Sequence, residues 1–169
     1  YDGNGNTCDN ILLEARTYYD DFSREKQSQI KNKEKEKVLA VQTLYDAFGR
    51  PAISTLPAPT GSNTFQYKSD FIQNQNGTAY GINDFDQLIT SGNLPGEMNN
   101  PNPLGTNPNT LGEYYSDNNP HEAYVATSSF PYARVEYNPD GSIKRKASPG
   151  EQFKMGSGNE TRYFRLQSG

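Results

Sequence analysis

Residues 37–56 read Lys37-Val38-Leu39-Ala40-Val41-Gln42-Thr43-Leu44-Tyr45-Asp46-Ala47-Phe48-Gly49-Arg50-Pro51-Ala52-Ile53-Ser54-Thr55-Leu56. The first nine are rich in Val, Leu, Thr and Tyr, residues that fit a pleated, half-buried surface. Asp46-Ala47-Phe48-Gly49 then reads as a turn, with Gly49 free to take a positive φ. Pro51–Leu56 reads as the returning strand. It stops at Pro57-Ala58-Pro59, because proline cannot donate a ladder hydrogen bond. The stretch predicts an antiparallel β-hairpin.

The same grammar recurs downstream. Tyr132-Ala133-Arg134-Val135-Glu136-Tyr137 leads into Asn138-Pro139-Asp140-Gly141, and Ser142-Ile143-Lys144-Arg145-Lys146 returns. Asp140-Gly141 between two such runs is a hairpin signal. In the outgoing strand Ala133, Val135 and Tyr137 share one face, and Arg134 and Glu136 the other. Upstream the pattern is ambiguous. Ile11, Ala15, Tyr18 and Phe22 lie at helical spacing behind Asp9 as a cap, whereas Thr17-Tyr18-Tyr19 favours strand and Asp20-Asp21-Phe22-Ser23 favours turn. Pattern alone leaves both open. In each unit a Tyr ends the outgoing strand and a basic residue follows the turn: Tyr19 with Arg24, Tyr45 with Arg50, Tyr137 with Lys144. Such units, repeated, stack into an extended curved sheet.

Composition agrees with sheet. Of 169 residues, 32% are hydrophobic, 12 are Tyr, 8 Phe and none Trp, with 15 Gly and 11 Pro. Low aliphatic content argues against a helical bundle, which needs apolar stripes. Tyr suits half-wet sheet faces, burying its ring while its hydroxyl stays in water. The net charge of −4 lacks the clustered cations that phosphate neutralisation requires, so no nucleic-acid partner is expected. The run Lys31-Asn32-Lys33-Glu34-Lys35-Glu36-Lys37 alternates in sign, as a solvated loop or hairpin tip does. No apolar run reaches membrane length. Residues 61–120 hold 12 of the 18 Asn and five Pro, and read as an irregular insertion too long for a hairpin turn. Two short regular pieces are expected within it, near Thr64-Phe65-Gln66-Tyr67 and Asp84-Phe85-Asp86-Gln87-Leu88-Ile89. Hairpins over 1–60, the insertion over 61–120, and a further hairpin with a polar tail over 121–169 make up the expected organisation.

Tyr45-Asp46-Ala47-Phe48-Gly49-Arg50-Pro51 resembles the YD-repeat motif of Rhs-type proteins. Tyr19-Asp20-Asp21-Phe22-Ser23-Arg24 is similar to a degenerate copy, with Ser23 in place of Gly. The ordered strings Gly49-Arg50-Pro51-Ala52, Leu56-Pro57-Ala58-Pro59, Asn102-Pro103-Leu104-Gly105, Phe130 through Tyr137, and Met155-Gly156-Ser157-Gly158 resemble a Bacteroidota branch of these large secreted proteins. The resemblance implies a mainly β, spiral array of antiparallel hairpins, and resolves the first segment as strands. It implies a structural wall enclosing or presenting an effector or adhesive module, at the cell surface or outside the cell. The rest of the same large polypeptide, and an export or cell-surface complex, would be its partners. Tyr19, Asp20, Arg24, Tyr45, Asp46, Gly49, Arg50, Tyr137, Asp140 and Gly141 are the structural motif residues so implied. The self-cleaving motif of many such shells has no match here. An adhesin or glycan-binding module built on the Asn- and Tyr-rich insertion is the alternative.

Catalytic and metal chemistry find little support. His121, the single histidine, follows Pro120 in a polar loop with no partner motif for a triad. Cys8 is the single cysteine, and one Cys with one His falls short of a zinc ligand set. Asp2-Gly3-Asn4-Gly5-Asn6 with Glu14 alternates oxygen donors as a calcium loop does, but Thr7 stands where that loop needs Gly and Glu14 falls one place late. Met155-Gly156-Ser157-Gly158 lacks the spacing of a nucleophile elbow or a P-loop. No enzyme activity, metal or cofactor is expected.

Overall fold

The computed structural model describes residues 13–32, 36–88 and 99–164. Three antiparallel hairpins carry the fold: β1 (Leu13–Tyr19) with β2 (Glu25–Asn32), β3 (Lys37–Tyr45) with β4 (Pro51–Thr55), and β8 (Tyr132–Tyr137) with β9 (Ile143–Ala147). Between the second and third lie β5 (Ala58–Pro59), β6 (Asp86–Leu88), β7 (Asn99–Pro101) and the one-turn helix α1 (Leu111–Tyr114). A short β10 (Thr161–Arg162) follows. The sheet runs β1-β2-β3-β4-β8-β9-β10, with β5 beside the first half of β3. The protein is thus mainly β, an array of hairpins with an irregular insertion. No helix among the described residues is long and apolar enough to cross a membrane.

The hairpins share one irregularity. Each slips register by one residue just before its terminal tyrosine, so that Tyr19 faces Glu25, Tyr45 faces Pro51 and Tyr137 faces Ile143. A bulge of this kind tightens the local twist and re-aims a side chain. Here it places all three tyrosines on the turn edge of the sheet.

One sheet face is covered, and its chemistry changes along the strand order. On β2 and β3 it offers the buried amides Gln27, Gln29 and Gln42, in the middle Ala40, Ile53, Ala58 and Tyr132, and at the β9 end the buried Arg145. The insertion builds the layer above. Phe71, Ile72, Phe85, Leu104 and Leu111 pack with Phe130 onto the middle of the face as one cluster. Phe85 meets Tyr132 edge-on at 4.8 Å and Tyr80 at 5.3 Å. Burying Phe71 and Phe85 contributes up to about 3 kcal/mol each.

Residues 64–67, expected to be helical or stranded, form no regular element. Their backbone pairs with side chains instead of a neighbouring strand: Gln29 Nε2 donates to Gln66 O at 2.7 Å, and Gln27 both donates to Lys68 O and accepts from Lys68 N. Residues 82–84 make a single 3₁₀ turn, and the strand pattern near Leu88 is met by β6, which pairs with β7.

Candidate functional site

Among the described residues, the turn edge carries a repeated set of tightly bonded side chains. In the turn between β3 and β4, Asp46 N donates to Arg50 O and Gly49 N donates to Asp46 O, at 2.9 and 3.0 Å. Asp46 Oδ1 accepts from the backbone N–H groups of Phe48 and Arg50, both at 2.9 Å. Asp46 Oδ2 accepts from Arg50 Nε and Nη2, both at 2.7 Å. One carboxylate thus ties the turn backbone and fixes the guanidinium in a two-pronged grip. Gly49 sits at φ 78°, where a Cβ would also approach Arg24 Nη1 to 2.9 Å.

The turn between β1 and β2 repeats this arrangement atom for atom. Asp20 Oδ1 accepts from Phe22 N and Arg24 N, and Oδ2 from Arg24 Nε and Nη2. Ser23 replaces Gly at φ 60°.

Each arginine also reaches the next hairpin. Arg24 lies 4.6 Å from the centroid of Tyr45, and Arg50 lies 4.5 Å from that of Tyr137. Each tyrosine hydroxyl returns a bond to the carbonyl just past that arginine: Tyr45 to Glu25 O at 2.8 Å, Tyr137 to Pro51 O at 2.9 Å. The registers of β2 on β3 and of β4 on β8, carried to the turn end, set Arg24 opposite Tyr45 and Arg50 opposite Tyr137. Each arginine also lies near the exposed phenylalanine of its own turn, Phe22 at 5.1 Å and Phe48 at 5.0 Å.

The third turn keeps the backbone and drops the link. Asn138 N donates to Ser142 O and Gly141 N to Asn138 O, with Gly141 at φ 84°. Asn138, not Asp140, holds the place of Asp46; Asp140 Oδ1 accepts from Ser142 N and Oγ. Ser142 holds the place of Arg50. Lys144, the basic residue expected to follow this turn, pairs instead with Glu136 across the hairpin at 3.2 Å, because it lies two residues beyond the linking position. Arg50 Nη1 donates to Asn138 O at 3.1 Å, adding to the joint between the second and third turns.

A fourth turn of this form sits in the insertion, where sequence reading overlooked it. Asn74 Oδ1 accepts from Asn76 N and Thr78 N, Asn74 N donates to Thr78 O, and Gly77 takes φ 82°. Gln73 faces Ala79 as Tyr45 faces Pro51. The Asn-x-x-Gly spacing shared with Asp46-x-x-Gly49 was the available signal. Turn shape therefore needs only an Asp or Asn and a residue able to adopt positive φ. The arginine is a separate feature that joins hairpins.

A family model described as a domain of unknown function, DUF6443, matches residues 4–102. The chain belongs to this family. No curated protein and no solved structure matches it. The DUF6443 match spans both Arg-bearing turns and the Asn74 turn, and ends before the third hairpin.

Electrostatics on the DUF6443 turn edge follow from this geometry. The Arg24 side-chain hydrogen bond holds the Asp20 carboxyl below its ordinary range. Burial alone would raise Asp46, but the hydrogen bonds from Arg50 and from the Phe48 and Arg50 backbone outweigh it and keep the carboxyl low. Burial raises the Tyr45 hydroxyl above its ordinary value.

Elsewhere the side chains read as packing. Arg145, 2% exposed, pairs with Glu136 and lies 3.8 Å from Glu160, whose other oxygen accepts from Gly158 N. Tyr114 donates to Glu122 at 2.9 Å, and burial together with that carboxylate pushes its hydroxyl to about 12. His121 borders a shallow hollow of about 490 Å³ with Glu36, Lys37 and Asn63, and its carbonyl accepts from Lys37 Nζ. Met155-Gly156-Ser157-Gly158 is a tight turn with Met155 buried and both glycines at positive φ. Among the described residues no three His, Cys, Asp or Glu side chains converge on a metal site. Cys8 and the Asp2–Asn6 stretch lie outside the described residues.

Proposed function

We propose that this chain is a wall segment of a secreted, YD-repeat, Rhs-like shell, which encloses or presents an effector or adhesive module. The observation that carries the reading is the repeated link: Asp20–Arg24–Tyr45 and Asp46–Arg50–Tyr137 use the same atoms at the same spacings. Such a joint gives each hairpin a fixed place on its predecessor, which is what an extendable wall needs. The side chains best organised here join backbone ribbons, and no enzymatic role is assigned. The rest of the same long polypeptide, and an export or surface complex, are the partners proposed, with a location outside the cell or on its surface. The aromatic residues of the insertion that a glycan-binding role would use are largely spent on the core, as Phe71 and Phe85 are. Electron microscopy of the full-length polypeptide tests the proposal. A closed, hollow particle is expected, with density for this segment in its wall. An open string of independent domains would refute it.

A further inference from the structure

The joint has a direction. An arginine from one turn enters the tyrosine of the following hairpin, so a linked hairpin needs a tyrosine on its first strand and an arginine after its turn. The first hairpin meets this rule with Arg24, but its own Tyr19 receives no arginine among the described residues. Tyr19 is 62% exposed, and among the described residues no cation lies over its ring. β1 likewise pairs only with β2 among the described residues. The last hairpin is the reverse: Tyr137 is filled by Arg50, and Ser142 stands where the outgoing arginine would be.

Resting on the wall reading above, we infer that Tyr19 and the β1 edge away from β2 receive one further hairpin with a Tyr-Asp-x-x-Gly-Arg turn, located outside these 169 residues. Its arginine stacks on Tyr19, and the carbonyl after that arginine accepts from the Tyr19 hydroxyl. Two nearer candidates fail on chemistry. Residues 1–12 contain no Arg or Lys and cannot supply the cation. A second copy of the chain has both of its turn arginines already stacked, on Tyr45 and Tyr137. What remains is continuity with the two joints already formed: the same strand register, the same bulged tyrosine and the same stacking distance. The array grows at its β1 side and ends, for this joint, at Ser142.

The test joins a hairpin of the sequence of residues 37–56 ahead of residue 1 through a flexible Gly/Ser linker, which raises its local concentration to roughly millimolar. Hydrogen exchange at the β1 amides that do not pair with β2 is then compared with the unextended chain. Exchange about tenfold slower is expected, from the combined cation–π contact and hydroxyl bond. The gain should vanish when the added hairpin carries Ala for its turn arginine, and equally with Tyr19→Ala. Three outcomes overturn the inference: no added protection, protection that survives both substitutions, or amides already protected in the unextended chain. Arg24–Tyr45 is monitored in the same samples by the Tyr45 ring resonances. If that joint stays intact while Tyr19 docks nothing, the wall reading stands and only this inference falls.

Discussion

Arg50 lies 4.5 Å from the centroid of the Tyr137 ring, although the whole insertion separates them in sequence. The contact reinforces the seam between β4 and β8, where a three-residue ladder is joined by the bonds from the Tyr137 hydroxyl to Pro51 O and from Leu56 N to Pro131 O. It also makes stability measurable as a property of a joint.

Arg50→Ala removes both the two-pronged bond to Asp46 and the stack on Tyr137. The expected loss is about 2 kcal/mol in urea unfolding. Tyr137→Phe keeps the ring and loses only the bond to Pro51 O, at about 1 kcal/mol. In a double-mutant cycle, Arg50→Ala and Tyr137→Ala should couple by about 0.5–1 kcal/mol. Strict additivity would show that the stack carries no energy.

The two related turns predict opposite responses to substitution. Gly49→Ala meets a positive φ and the Arg24 guanidinium together, and should destabilise by about 1–2 kcal/mol. Ser23→Gly relieves the same backbone region in the first turn, and should be neutral to stabilising by up to about 1 kcal/mol. Thermal unfolding of both variants checks the pair, and a loss on Ser23→Gly would contradict the account.

Acid should loosen the turns. The Asp20 and Asp46 carboxyls titrate lower in the fold than the value near 3.9 of an unfolded Asp. As pH falls, the unfolded chain takes up protons first. Their contribution is therefore complete above about pH 4 and is lost as pH drops through the lower folded values. Urea midpoints measured from neutral pH downward should fall in this acid range. Asp46→Asn, which mimics Asn74, should make the fall shallower. An unchanged acid profile in that variant would exclude Asp46 as a source of the effect.

The amide staples predict a local effect. Gln27→Leu leaves Lys68 N and O without their partner and should cost about 2 kcal/mol. Exchange of the Lys68 amide should quicken by more than that of the β3 amides. Uniform acceleration across the sheet would mean that the strap and sheet open together.

Much of the hairpin array is legible from local chemistry. Alternation and Thr/Tyr content mark β3 and β8, and Gly49 and Gly141 mark turns that demand a positive φ. The first hairpin is not separable from a helix by periodicity, because Ile11, Ala15, Tyr18 and Phe22 fit 3.6 residues per turn. Lys144 matches Arg24 and Arg50 in charge and order but not in register, since it lies two residues beyond the linking position. The Asn74 turn hid in a polar stretch because no strand-like run flanks it.

Local chemistry along the chain sets the class of the fold and the shape of its turns, since φ preference, side-chain capping and pleat periodicity act within about six residues. Only tertiary structure decided which tyrosine meets which arginine, that Gln27 and Gln29 hold the 66–68 strap, and that the Asn-rich insertion supplies half the core. Those outcomes depend on cross-strand register and on which sheet face is covered, relationships between residues far apart in the chain that no local pattern encodes.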